Sequence, residues 1–339
     1  MKPLPGRIKS QPEDFGVTEL PAFSPEGSGD HLYLWVEKLG VSTPHLIAQL
    51  ARRCQLASGA VGVAGRKDKQ AITRQWVSLP TTTGGDLSLL PDDGERCALN
   101  DGWYRILNRA DHRRRLKVGA LRGNAFRLIV RELDAEQRTE LLRRCAEVSA
   151  AGYLVNAYGE QRFVDPEALD QARALFERKR LRGRKDSFVL SVAQAAIFNR
   201  YLARRLEHPE PLSGEWYGTA RGGRFDGARD EPNRLIERLE AGEIVPLAPM
   251  LGRDVQPTGA CSELVASCCA ELGFEGVDWA AFGKRLRGTW RPTRVALDGL
   301  EGLEEDHAVT LRFDLPAGAY ATVLTARLLE GRWTFPYSS

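Results

Sequence analysis

The chain has 339 residues, 42% hydrophobic and 27% charged, with 48 basic and 45 acidic side chains leaving a net charge of only +3. That is an ordinary globular composition, and it excludes a polycation and any membrane-spanning helix, since no apolar run approaches about 18 residues. Length points to two domains, and the opening Met-Lys-Pro-Leu-Pro carries no apolar core of signal-peptide size, so a cytoplasmic location is expected.

In the first third, Leu32, Leu34 and Val36 alternate with Tyr33 and Trp35, which predicts a half-buried strand. Ser42-Thr43-Pro44 supplies a cap and a first-turn proline for a helix running to about Leu56. Strands are expected at 59–64, 72–79, 103–108 and 124–132. In the last of these, Phe126, Leu128 and Val130 share one face, while Arg127, Ile129 and Arg131 share the other. Asp134 should cap a helix ending near Gly152. From about Pro166 to Arg287 the pattern turns to helices, at 166–180, 188–206, 233–241 and 261–272. Gly- and Pro-rich connections join them, Gly218 to Gly227 and Pro246 to Pro249 among them. Beyond Trp290 strand alternation returns in Val309, Leu311 and Phe313, and a helix is expected from Tyr320 to Leu329. This order predicts an α+β chain in which a helix-rich domain is inserted into a sheet domain completed by the C-terminal strand.

Gly65-Arg66-Lys67-Asp68-Lys69 sets one carboxylate among cations on a turn between two strand-like runs. Neighbouring positive charge favours the anionic form and attracts a polyanion, so one loop offers both a nucleophile and a place for phosphates. Basic residues also concentrate in three stretches: Arg109 to Arg122, including Arg113, Arg114 and Arg115; Arg178 to Lys185; and Lys284 to Arg294. Together they suggest a nucleic-acid-binding surface. Arg122-Gly123-Asn124-Ala125-Phe126 loosely echoes an RNA-binding strand motif, although Asn124 stands where an aromatic is expected, and taken alone Phe126 reads as core. Six cysteines without a CxxC pair and five dispersed histidines make a metal site unexpected, and buried thiols are the better account. No phosphate-binding GxxxxGK[ST] loop and no Gly-x-Ser-x-Gly elbow occurs. A reaction without metal, nucleotide or other cofactor is therefore expected.

Several segments resemble the TruD family of tRNA pseudouridine synthases, in matching order along nearly the whole chain. They are Lys9 with Pro12-Glu-Asp-Phe15; Ala64-Gly-Arg-Lys-Asp68-Lys; Leu116-Lys-x-Gly to Gly123-Asn124-Ala-Phe126; Asn156-Ala-Tyr-Gly159-x-Gln-Arg162-Phe; and Leu315-Pro-Ala-Gly-x-Tyr320-Ala-Thr. The resemblance implies a pseudouridine synthase fold with a mainly antiparallel sheet, a catalytic domain at 1–163 and 291–339, and a family-specific inserted domain at 164–290. It implies that Asp68 is the catalytic aspartate, that Phe15, Asn124 and Tyr320 line a uridine pocket, and that Phe126 stacks there with Lys9 nearby. Tyr320 stands where the family commonly has Phe, and Ala157-Tyr158 where it has Tyr-Phe.

The expected activity is isomerisation of uridine, by resemblance at tRNA position 13, in an enzyme that works as a monomer. Breaking the N1–C1′ bond and rejoining the turned base through C5 needs no redox partner. Asp68 would attack C1′ or remove the C2′ proton, with the uridine flipped into an aromatic pocket. Arg66, Lys67, Lys69, Arg113, Arg114, Arg115 and Arg162 are the expected contacts to the RNA backbone. The alternatives are a non-catalytic RNA-binding protein and a cofactor-dependent RNA-modifying enzyme of another kind.

Overall fold

In the computed structural model, which describes residues 2–82, 84–178, 181–219 and 222–338, the alternating runs of the first third become strands of one sheet. Gln11 and Asp14 close a capping turn that leads into Phe15–Pro21 (β1), and His31–Leu39 (β2) follows. Thr43–Arg53 (α1) starts as expected, with Ser42 accepting the His45 N–H and Leu46 and Leu50 buried. It stops short of Leu56 because Gln55 takes a left-handed φ of 57° and the Leu56 N–H turns back to the Ala51 carbonyl.

The strand expected over 59–64 shrinks to Gly62–Val63 (β3), since Ser58–Ala60 coils into a 3₁₀ turn. Ile72–Pro80 (β4), Cys97–Leu99 (β5), Gly102–His112 (β6) and Leu121–Val130 (β7) follow. Ala135–Ala151 (α2) is closed at one end by reciprocal Asp134 and Gln137 bonds and at the other by Gly152.

The middle of the chain runs Tyr153–Val155 (β8), Ala168–Arg178 (α3), Arg184–Glu207 (α4), Trp216–Thr219 (β9), Arg224–Asp226 (β10), Pro232–Glu240 (α5), Ile244–Met250 (β11), Gly259–Glu271 (α6) and Thr289–Pro292 (β12). The helices lie where the sequence predicts them. The strands β9 to β11 do not: with β12 they form a four-stranded antiparallel sheet where irregular connections were expected as far as about Arg287. Proline disfavours an inner strand by removing a donor, yet Pro246 and Pro249 both lie in β11. The ladder compensates for Pro246. Its carbonyl accepts the Thr293 N–H, and the Thr293 carbonyl that proline cannot reach takes the Asn156 N–H instead, both at 2.9 Å. Lys179, Arg180, Ala220 and Arg221, part of the basic and glycine-rich stretches, lie outside the described residues.

Arg294–Ala296 (β13) pairs with β8, and Asp298–Glu305 (β14), Ala308–Pro316 (β15) and Ala321–Glu330 (α7) complete the chain. Among the described residues nine strands make one sheet, ordered β14-β15-β7-β1-β4-β2-β6-β5 with β3 beside β4, and only β1 and β4 are parallel neighbours. The fold is the mixed, mainly antiparallel α+β arrangement expected.

Register places Phe15, Val17 and Glu19 of β1, Asn124, Phe126 and Leu128 of β7, Thr73 and Gln75 of β4, and Val36 and Lys38 of β2 on one face. On that face α1 buries Leu46 and Leu50 against Leu34, Val36, Val77, Tyr104 and Ile106. At the β14 end Gly302 faces Leu142 and Cys145 of α2. The stretch between the two helices is left to polar and aromatic side chains.

By compactness the chain forms one unit from Lys2–Gly152 with Ala296–Gly318 and another from Tyr153–Val295 with everything from Ala319. These borders differ from the expected division in placing 153–163, 291–295 and the C-terminal segment with the helix-rich unit. No group of metal-ligating side chains occurs among the described residues, the cysteines are unpaired, and all but the half-buried Cys97 are buried. No described helix is long and apolar enough to cross a membrane.

Candidate active site

The loop carrying Asp68 leaves β3 and re-enters the sheet at β4, and buried polar side chains fix it at several points. Lys67, 8% exposed, places Nζ 2.8 Å from Glu19 Oε2. Its N–H donates to Thr43 Oγ1 at 2.9 Å, the Thr43 hydroxyl donates to Gln75 Oε1 at 3.1 Å, and Gln75 Nε2 donates to the Gly65 carbonyl at 3.4 Å. Lys38, 0% exposed, donates from Nζ to the Asp68 carbonyl at 2.8 Å. Burial pulls its pKa down to about 8, against the opposing pull of the Asp68 charge. The Gly40 N–H holds the Lys69 carbonyl at 2.9 Å.

With its main chain clamped, Asp68 keeps a half-buried side chain. Oδ1 accepts the Gln70 N–H at 3.0 Å, and Oδ2 lies 3.5 Å from Lys9 Nζ. Lys9, held at a left-handed φ of 61°, sets the same ammonium 4.3 Å above the Phe15 ring. Phe15 meets Phe126 edge to face at 6.4 Å, and Phe126 stacks on Phe313 at 5.1 Å. Phe126 is only half-buried, so its ring is not sealed into the core. Two residues earlier, Asn124 Oδ1 is buried without a hydrogen-bond partner among the described residues. A buried acceptor left unmet costs free energy until a donor arrives.

Asp14, just before β1, is buried against Arg131, with Nη2 to Oδ1 at 2.8 Å. Burial raises its pKa, but the Arg131 bonds and the Gln11 N–H outweigh that and hold it below the usual carboxylate value. This pair anchors the entry to Phe15 and leaves Asp14 no opening for chemistry.

Tyr320 lies in the helix-rich unit, as the residue capping α7. Its ring is 5.7 Å from Tyr158, which meets Phe198 edge to face at 5.6 Å. The Arg291 guanidinium lies 4.3 Å over Tyr158 and that of Arg162 5.6 Å from it. Arg291 is held by the Asn156 carbonyl and side-chain oxygens, and burial depresses its pKa. Gly159 is needed here: a Cβ would fall 2.3 Å from Thr322 Oγ1 and 3.2 Å from Tyr320 Cδ1. Tyr158 is thus the aromatic neighbour of Tyr320, while Ala157 is simply buried.

The expected RNA-facing cations divide. Arg66, Lys69 and Arg114 are exposed. Arg113 is exposed but grips Glu26, with Nη2 to Oε1 at 2.9 Å, and Arg115 donates to the Val61 carbonyl at 2.8 Å. Arg162 donates to the Ser191 carbonyl at 3.3 Å. Lys67 departs from the expectation, because its charge is turned inward to Glu19 and holds the loop from behind. In the third basic stretch, half-buried Arg291 and Arg294 bond Asn156 and Leu239, whereas Arg285 and Arg287 bond Leu181 and Asp254 yet stay exposed, as does Lys284. Sequence reasoning did not single out Lys38, Thr43, Gln75 or Glu19 as site residues. For Lys38 a signal existed, since it falls on the buried period of Leu34 and Val36.

A mainly antiparallel sheet that holds one carboxylate in a clamped, cation-rich loop, beside aromatic rings and an unmet carboxamide, has the makings of a pseudouridine synthase. The profile described as tRNA pseudouridine synthase D (TruD) matches residues 1–168 and 177–328, and the chain belongs to that family. It is 36% identical to tRNA pseudouridine synthase D of Anaeromyxobacter dehalogenans strain 2CP-C over 98% of this chain and 95% of the relative. With the Methylococcus capsulatus protein of the same name the identity is 37%, over 96% and 91%. A Methanosarcina mazei crystal structure assigned to tRNA pseudouridine synthase D superposes with a TM-score of 0.70 at 22% identity, covering 100% of this chain and 96% of that one, which bears on the fold alone. The family's reaction is an isomerisation, of uridine to pseudouridine in tRNA.

Proposed function

We propose that this chain isomerises the uridine at position 13 of tRNA, with Asp68 as the reacting carboxylate. The observation that carries the reading is the clamped loop: Lys38, the Lys67–Glu19 pair and Thr43 fix the main chain on both sides of Asp68, whose carboxylate meets Lys9 above Phe15. Such fixing suits a group that must meet one sugar carbon of a flipped nucleotide without reorganising. Asp68 attacks C1′ or takes the C2′ proton. In either route the N1–C1′ bond breaks, the uracil turns and C5 bonds to C1′, with the C5 proton lost and N1 protonated.

Phe15 and Phe126 supply ring surface for the extruded base, and the family resemblance assigns Tyr320 the same role. Asn124, with its unmet oxygen, accepts the uracil N3–H and offers its amide N–H to a carbonyl. Arg66, Lys69, Arg113, Arg114, Arg115 and Arg162 contact the RNA backbone, whereas Lys67 positions the loop. Residues 1–163 and 291–339 form the catalytic domain and 164–290 the inserted one. The enzyme acts in the cytoplasm, where its substrate is, and as a monomer, which light scattering with and without tRNA checks.

The decisive experiment is tritium release from [5-³H]uridine-labelled tRNA. Asp68→Asn is expected to lower turnover by at least about 10²–10⁴-fold while tRNA affinity stays within a few fold. A variant that still isomerises uridine removes Asp68 from the chemistry. A 2′-deuterium isotope effect on the wild type then separates proton removal from attack at C1′.

A further inference from the structure

On the reverse face of the large sheet, away from Lys38 and Asp68, lies a pocket of about 360 Å³ lined by Phe23, Glu26, His112, Arg113, Arg114, Arg115, Lys117 and Ala120. Strand alternation fixes the side: His112 pairs with His31, two residues from Tyr33, and Tyr33 and Lys38 point opposite ways along β2. The walls are fixed. The loop before β2 is pinned by the Gly27 N–H on the Asp111 carbonyl at 2.8 Å, and a Cβ at Gly29 would lie 2.5 Å from the Arg113 main chain. The Phe23 ring, 38% exposed, lies parallel to His112 at 4.8 Å and is met by Tyr33 at 6.3 Å. One ring face is thereby braced while the rest of the side chain reaches solvent. Glu26 is the pocket's carboxylate, and Arg113 binds both of its oxygens, so Arg114, Arg115 and Lys117 dominate the field.

The same segment runs from the pocket toward the catalytic loop. Arg115 bonds Val61, the Leu116 N–H bonds Ser78 Oγ, and the Gly119 N–H bonds the Ala64 carbonyl next to Gly65. Lys117 at the pocket and Arg66 and Lys69 in the catalytic loop are exposed.

We propose that this pocket holds a second, unstacked nucleotide of the RNA substrate, its base against Phe23 and its phosphate between Arg114 and Lys117, so that the strand is gripped at a distance from the reacting uridine. This rests on the chain acting on RNA. A braced aromatic ring beside cations suits a nucleotide, since a phosphate alone would not use the ring.

The test is fluorescence anisotropy with unmodified tRNA transcript at 50–200 mM KCl, on the Asp68→Asn background so that no turnover intervenes. Phe23→Leu, which keeps the volume but loses the π face, should weaken binding by roughly 5- to 100-fold, with Phe23→Tyr restoring it to within about threefold. Lys117→Gln and Arg114→Gln, both at exposed positions, should each reduce the slope of log Kd against log salt by about one. Slopes and affinities equal to the parent's in all four proteins overturn the proposal, and so does a slope change with no effect of Phe23→Leu, which leaves only a phosphate contact. Should Phe23→Leu melt early, displacement of the transcript from the Asp68→Asn parent by a nucleoside monophosphate is compared with displacement by inorganic phosphate, and equal potency overturns the proposal. If the Asp68→Asn parent itself fails to bind tRNA, the RNA reading falls, whereas normal parent binding with unaltered variants sinks the pocket alone.

Discussion

Glu19 and Lys67 face each other where neither side chain reaches water, and such a pair is worth most to the fold by never being half removed. Lys67→Met is expected to cost about 3–5 kcal/mol in urea denaturation, because it leaves a carboxylate buried without its partner. The double variant Lys67→Met with Glu19→Leu should recover most of that loss; equal costs for the single and double variants would remove the ion pair from the account. Lys38 makes a pH-dependent contribution. Its folded pKa is lowered by burial to about 8 from the ordinary 10.5. Between those values the unfolded chain keeps a proton that the folded chain has released, so stability rises with pH across that window and levels above it. Denaturation curves from pH 7.5 to 10.5 should show this rise in the wild type and lack it in Lys38→Met. Parallel profiles would mean that the amine is not held as described.

Strands and helices with strong local signals were legible. Helix α2 carries its own punctuation in Asp134, Gln137 and Gly152, and β7 and β15 show alternation that survives into the register pairing Phe126 with Phe313. Strands β9 to β11 were not legible: a glycine-rich run overlaps β9 and β10, Pro246 and Pro249 argue against β11, and what rescues Pro246 is Asn156, ninety residues away in sequence. Shortened β3 was misread for a related reason: six residues with strand-like composition serve mainly as a run-up to the Asp68 loop. The site divides in the same way. Asp68, Phe15, Asn124 and Phe126 sit in short contiguous motifs, so their identities were readable. Lys38, Thr43 and Gln75 act through contacts between strands and helix that only the folded register creates. The inward turn of Lys67 was equally invisible, since four charged residues in a row read as solvated until one of them finds Glu19.

The chain passes between its two compact units three times, after Gly152, Val295 and Gly318, so neither unit comes from one continuous segment. Ending the chain after Val295 would remove β14, β15 and α7 together, leaving β7 as an edge and stripping Phe313 from Phe126. Such a truncation is expected to shift most of the expressed protein into the insoluble fraction, as a long unpaired edge favours aggregation; a soluble product with native-like circular dichroism would contradict this. On the ribosome every copy passes through that same state. Strand β7 is finished at Val130 and its partner does not begin until Ala308, an interval of roughly 180 residues. At about 5–20 residues per second that is ~10–35 s during which a nascent aromatic strand has no cover on one side. Chaperone dependence during synthesis should therefore fall on this early sheet, well before any tRNA is met.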